Sequence, residues 1–85
     1  MAASCFKLTI SLTEADFMRA AWVKKVQDLL VVPGGEGVTV FFRSPLTVVN
    51  LRSKACLLKP GAVLTPLEEE EWVSLRAAAE ASITG

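Results

Sequence analysis

The chain has 85 residues, 52% of them hydrophobic, and nine basic side chains balance nine acidic ones. A chain of this length forms one small domain, residues 1–85, whose interior is too small for so much apolar surface, so we expect a homodimer or a subunit of a complex. Zero net charge disfavours a strong polyanion binder, and the absence of histidine excludes His-based catalysis and a Cys/His zinc site within the chain.

The first half of the chain begins with a strand. Residues 6–12 alternate between apolar and polar side chains, which predicts a strand with one buried face. Thr13 is a suitable N-cap for a helix predicted over residues 14–30, whose apolar stripe includes Trp22. Pro33-Gly34-Gly35 then ends this helix and begins a loop.

The middle of the chain is predicted to form strands. Residues 38–43 (VTVFFR) read as one strand, and residues 47–52 (TVVNLR) as its hairpin partner. Residues 55–58 and 62–64 are candidates for two further short strands.

The end of the chain predicts a second helix. Thr65 is its expected cap, Pro66 occupies the first helical position, and Glu68 completes a capping box. The apolar stripe of this helix consists of Trp72, Leu75, Ala79 and Ile83.

Together these elements predict an α+β fold in the order β-α-β-β-(β)-α. It has two layers, with a small antiparallel sheet of four or five strands and two helices on one face. Apolar residues that recur every two residues in the strands and every 3.6 in the helices predict the core. Its members are Phe6, Leu8, Ile10, Leu12, Trp22, Val26, Leu29, Val38, Val40, Phe42, Val49, Leu51, Leu75 and Ile83.

The sequence offers no catalytic or metal-binding constellation. Glu68 to Glu71 are consecutive on a predicted helix, so their carboxylates fan out, and the helix dipole favours acids in the first turn. The Gly-rich segment 33–37 follows a helix and opens a strand, which is the reverse of a phosphate-binding loop. We therefore predict a protein that is not an enzyme, with no cofactor, no metal and no small-molecule substrate.

The cysteines and the hydropathy pattern indicate the cellular setting. Cys5 and Cys56 are too few and too scattered to form a disulfide scaffold. Residues 1–12 lack the features of a secretory signal, and no window reaches the ~18 consecutive apolar residues of a membrane span. We therefore predict an intracellular, soluble protein without a membrane partner.

Basic side chains are concentrated in one part of the chain. Residues 37–67 contain four cations and no acid. Phe41 and Phe42 are adjacent in a predicted strand, so one of them faces away from the core, and Arg43 shares the face of Phe41. An aromatic ring beside cations on a sheet can stack unpaired bases, but the same layout fits a sheet face that is buried in a dimer. Trp22, Trp72 and Leu75 are predicted to lie in the core or in an interface.

Residues 38–77 resemble the single-stranded-DNA-binding domain of the positive-cofactor-four transcriptional coactivators. The similar features are VTVFFR, TVVNLR at hairpin spacing, and Lys59-Pro60-Gly61, followed by Trp72 and then Leu75 three residues later. The resemblance implies a curved antiparallel sheet, a dimer built through the helix, and a sheet face that grips unpaired strands without sequence specificity.

The functional prediction is a non-enzymatic binding module that acts as a dimer or within a complex. The specific prediction is binding of single-stranded nucleic acid through one sheet face. The residues predicted to bind it are Phe41, Arg43, Arg52, Lys54 and Lys59. The alternative is a protein-only assembly or adaptor subunit that uses the same sheet face and the helices as an interface.

Overall fold

The computed structural model describes residues 3–84, which form four strands, three α-helices and one short 3-10 helix. These elements confirm the predicted α+β class with an antiparallel sheet. In chain order they are β1 (Ser4–Ile10), α1 (Glu14–Met18), the 3-10 helix (Ala21–Lys25), β2 (Gln27–Gly34), β3 (Gly37–Ser44), α2 (Val48–Leu58), β4 (Val63–Leu67) and α3 (Glu69–Thr84).

The strands lie in the order β2-β3-β1-β4, and all neighbouring strands are antiparallel. The chain therefore makes two interleaved β-α-β units, β1-α1-β2 and β3-α2-β4, in a split β-α-β arrangement. Residues from α1, the 3-10 helix and α2 pack on one side of the sheet, which we call the first face. Helix α3 packs on the opposite side, the second face, through Trp72.

The main core lies between the first face and the helices that cross it. Phe6 of β1 stands opposite Phe42 of β3, and their rings stack with centroids 5.6 Å apart. Phe17 of α1 and Leu51 of α2 close over these rings. The alternation in residues 6–12 thus places every second side chain of β1 in the main core, as the sequence predicts.

The predicted core is confirmed on β1 and β3 and only in part elsewhere. The residues found buried are Phe6, Leu8, Ile10, Val38, Val40, Phe42 and Leu51. Those found half-buried are Leu12, Trp22, Val26 and Leu29. The prediction is wrong for Val49, Leu75 and Ile83, which are exposed.

The helix predicted over residues 14–30 is wrong in its second half. Helix α1 ends at Met18, and the chain passes through the 3-10 helix into β2. Residues 29–32 (LLVV) are half-buried, and an apolar run of this length fits a helix or a strand equally well by periodicity. Pairing with β3 makes this run a strand. Gly35 has a φ of 62° and closes a tight hairpin that aligns Gly34 with Gly37.

The predicted hairpin between residues 38–43 and 47–52 is also wrong. Residues 48–58 form α2, which includes the strand predicted at 55–58, and the partners of β3 are β1 and β2. Thr47 is the N-cap of α2, since its Oγ1 accepts a hydrogen bond of 3.2 Å from the backbone N–H of Asn50. This cap and packing on the first face override the β preference of the adjacent valines, 48 and 49.

The second predicted helix exists, but it begins later and lies on the other side of the sheet. Thr65 and Pro66 belong to β4, which extends the short strand predicted at 62–64, and α3 starts at Glu69. Proline is tolerated in β4 because this strand is at the edge of the sheet. The two helices predicted on one face are therefore three helices distributed over both faces.

A close backbone approach at the start of β3 tests the pairing of β3 with β1. A Cβ atom on Gly37 would lie 2.2 Å from the carbonyl oxygen of Ile10 and 2.7 Å from the Cα of Ser11. Since these are backbone atoms, the strands must separate, and we expect Gly37→Ala to lower the free energy of unfolding by about 1–3 kcal/mol or more in urea denaturation.

Gly34, which stands opposite Gly37 in the β2–β3 hairpin, is the matched control. A Cβ atom there meets nothing within 4 Å, so we expect Gly34→Ala to change the free energy of unfolding by less than about 1 kcal/mol. Equal losses for the two variants would contradict the close approach of β3 to β1 at Gly37.

Candidate interaction surfaces

Trp72 fixes α3 to the second face of the sheet. It is 3% exposed and packs in a cluster with Cys5 and Phe41. Its indole N–H donates a buried hydrogen bond of 3.1 Å to the backbone carbonyl of Phe6.

Arg43 ties the start of α3 to the sheet. Its Nη1 lies 2.6 Å from Oε1 of Glu69, and its Nε lies 3.0 Å from Oδ2 of Asp28. The guanidinium also stands over the ring of Trp72, at 4.5 Å from the ring centroid. The hydrogen bond to Glu69 is the main reason that the pKa of Arg43 is raised above its ordinary value. Arg43 therefore stays charged and is engaged by groups of its own chain.

The second face differs from the open sheet face that the sequence predicts. Phe41 does share this face with Arg43, but it is 4% exposed because α3 covers it. The prediction that its ring is open to a stacking base is therefore wrong. Arg43 is also held by two carboxylates and an aromatic ring, so two of the predicted nucleic-acid contacts lie within the fold.

The other three predicted nucleic-acid residues lie on α2 and at its C-cap, on the opposite side of the sheet. Arg52 and Lys59 are exposed and Lys54 is half-buried. Within residues 3–84 none of the three forms an ion pair, and no acid occurs in residues 37–67. These cations are available to a partner, but the predicted set of five does not form one surface.

Helix α2 presents apolar side chains to solvent between these cations. Val49 is 73% exposed and Leu57 is 85% exposed. With Ser53 and Cys56 they lie on the side of α2 opposite its buried residues, Leu51 and Ala55, and we call these four residues the α2 surface.

Sequence reasoning missed the α2 surface because it placed Val49 on the core side of a strand. The signal that could have found it is Thr47, which has the same capping arrangement as Thr13 before α1. In each case the threonine Oγ1 accepts from the backbone N–H three residues later. A helix begun at Thr47 places Val49, Ser53, Cys56 and Leu57 on one side by their spacing.

Helix α3 carries the chain's acidic cluster. Glu68, at the end of the loop before α3, and Glu69, Glu70 and Glu71 in its first turn are all exposed, and Glu69 binds Arg43. Val73, Leu75 and Ile83 are exposed apolar residues of the same helix. Leu75 is thus surface-accessible, as its predicted interface role requires, whereas Trp72 is enclosed by its own chain.

The third residue of the predicted interface, Trp22, lies mainly in the core. Its ring meets Phe17 and Phe42 edge-on, with centroids 6.0 Å and 6.2 Å apart. One side of the ring borders a groove of about 390 Å³ between the 3-10 helix and the start of α2, lined also by Lys25 and Lys54. The contact with two core phenylalanines indicates that the main role of Trp22 is structural.

The described residues, 3–84, include no group of three or more His, Cys, Asp or Glu residues placed to hold a metal ion. None of their helices combines the length and apolar character needed to cross a bilayer.

Comparison of the chain with models of protein families, with curated proteins and with solved structures finds no match.

The anchoring role of Trp72 predicts a large effect of its removal. Trp72→Ala deletes a buried ring and the donor to the Phe6 carbonyl, and we expect it to lower the free energy of unfolding by about 3–5 kcal/mol. Because the total stability of a single domain is roughly 5–15 kcal/mol, this loss is a large part of it, and the variant should be strongly destabilised or lose α3 from the sheet. Far- and near-ultraviolet circular dichroism with urea denaturation measures both effects.

Glu70→Gln is the control on the same helix, because Glu70 is exposed and has no ion-pair partner within residues 3–84. We expect it to change stability by less than about 0.5 kcal/mol. An unchanged denaturation midpoint for Trp72→Ala would contradict the anchoring role of the tryptophan.

Proposed function

We propose that this protein is a non-enzymatic assembly module that binds a partner protein through the α2 surface. The observation that carries the proposal is the exposure of Val49 and Leu57 on one side of α2, at 73% and 85%. Large apolar side chains grouped on one helix face and bordered by charges are typical of protein-binding sites.

The energetics favour a helix or another apolar surface as the occupant. Complete burial of an exposed valine or leucine contributes about 1.5–3 kcal/mol each. Helix α2 has 11 residues, and its length of about 16 Å supplies only part of the ~800 Å² per partner that a standard interface buries. The partner therefore also contacts the flanks of the helix, where Arg52, Lys54 and Lys59 favour an acidic surface.

A non-enzymatic role accords with the residues available for catalysis. The chain has no histidine. Its two thiols are separated, since Cys5 is buried beneath α3 whereas Cys56 lies on the α2 surface. An assembly role needs no such groups.

Single-stranded nucleic acid is the second candidate partner. It is favoured by Arg52, Lys54 and Lys59, which lie on α2 and at its C-cap, in a segment, residues 37–67, that contains no acid. Sheets that bind unpaired RNA offer aromatic rings on an open face for bases to stack on, whereas Phe41 lies under α3. Nucleic acid would thus be held by phosphate contacts without stacking on this ring, which lowers the affinity.

Photo-cross-linking from α2 separates the two candidates. A photoreactive amino acid replaces either Leu57 or Arg19, which is an exposed side chain on α1 outside the α2 surface. In cells that make the protein, we expect protein adducts from position 57, few from position 19, and loss of the position-57 adducts when Val49→Asp is added. Nucleic-acid adducts from position 57, or equal protein adducts from both positions, would overturn the proposal.

A titration of the purified chain with a labelled single-stranded oligonucleotide completes this test. We expect no binding at low salt. If the three cations of α2 did bind phosphates, the logarithm of the association constant would fall with the logarithm of salt concentration with a slope of about −2. Binding with that slope, lost in Arg52→Gln, would establish the second candidate.

A further inference from the structure

We infer that the occupant of the α2 surface is a second copy of this chain, which contributes the outer side of its α3. This inference rests on the proposed assembly function and names the partner. It adds a mode of assembly, in which copies join head to tail.

The first argument is the opposite charge of the two helices. Helix α2 and its C-cap, residues 48–59, carry three cations and no acid, whereas residues 68–84 carry five acids and one cation, Arg76. Within the described structure Arg76 is paired with Glu80, so the remaining charge of α3 is that of its first-turn glutamates. A cationic surface on one side of the sheet and an anionic one on the other attract each other between copies.

The second argument is the shape of the outer side of α3. Val73, Ala77 and Ala81 follow one another at intervals of four residues, away from the buried Trp72, and all three are exposed. We call them, together with Glu70, the α3 surface. Two alanines on this side allow another helix to approach closely, since the side chains at the contact set the distance between helix axes.

The third argument is the match of spacings between the two surfaces. Val49 and Leu57 are eight residues apart on α2, and Val73 and Ala81 are eight residues apart on α3. Each interval spans about 12 Å. With the helices antiparallel, Leu57 meets Val73 and Val49 meets Ala81. The same alignment places the cations near the end of α2 beside the glutamates at the start of the partner copy's α3.

The position of the helices in the fold determines the symmetry of this contact. Because α2 and α3 lie on opposite faces of one sheet, two copies cannot form both α2–α3 contacts with each other at once. Each contact leaves one α2 surface and one α3 surface free. Such a heterologous contact produces open chains or rings, in contrast to the closed homodimer predicted from composition.

Sedimentation velocity of the purified chain over a wide concentration range tests the inference. We expect the mean mass to rise continuously with concentration and to fall when salt is added. Leu57→Asp and Ala77→Arg each disable one surface at an exposed position, so each variant alone should remain monomeric. Val63→Asp is the matched control, because Val63 is an exposed apolar residue on β4, outside both surfaces, and should assemble like the wild type.

Mixing the two disabled variants is the decisive step. The intact α3 surface of Leu57→Asp can bind the intact α2 surface of Ala77→Arg, so we expect a one-to-one dimer that grows no further. A wild-type chain that stays monomeric, or a mixture that forms no dimer, would overturn the inference. Assembly abolished by Leu57→Asp but not by Ala77→Arg would also overturn it and indicate a symmetric α2–α2 contact.

Failure of this inference can be distinguished from failure of the proposed function. A monomeric purified chain that still gives adducts with a different protein from position 57 would contradict the second copy as occupant, while the α2 surface would remain a protein-binding site.

Discussion

The attachment of Trp72 to the second face of the sheet is the interaction on which the other surfaces of this protein depend. The ring packs with Phe41 and Cys5 of the sheet, and its N–H donates a hydrogen bond to the carbonyl of Phe6. The ion pair between Arg43 and Glu69 adds a second attachment at the same point. Because the ring and the ion pair act near the start of α3, they fix where the helix crosses the sheet.

The covered second face changes what the chain can bind. With α3 in place, Phe41 is part of a small second core instead of an aromatic platform. The accessible apolar side chains then lie on α2, α3 and the edge strand β4, and in the loop before α2. Because the aromatic ring of the second face is covered while the apolar residues of α2 and α3 are accessible, we propose helix-mediated protein contacts over binding of bases to the sheet.

The strands that alternate cleanly could be predicted from sequence, because one buried face leaves a period of two. Residues 6–10 and 38–43 are examples, and their side chains fill the main core. Residues 29–32 could not be assigned in this way, since they form an edge strand with half-buried side chains and their pattern carries no period. Their strand conformation depends on pairing with β3, a contact that the local sequence does not encode.

The candidate site was predicted only in part for a related reason. The cations of α2 could be identified by composition, but their grouping depends on residues 48–58 forming a helix. The β-branched residues Val48 and Val49 instead favour the prediction of a strand. Likewise, Arg43 looked available because Asp28 and Glu69 are distant in sequence and meet it only in the folded chain. Because of these long-range ion pairs, Arg43, which was predicted to bind nucleic acid, has a structural role.

The reactivity of the two cysteines tests most directly whether α3 closes the second face. Cys5 is buried against Trp72 beneath α3, whereas Cys56 is exposed on α2. Under native conditions at low protein concentration, an alkylating reagent followed by mass spectrometry should modify Cys56 rapidly and Cys5 only at the rate at which α3 leaves the sheet. Equal modification rates for the two thiols would mean that the second face is open, which would contradict this account.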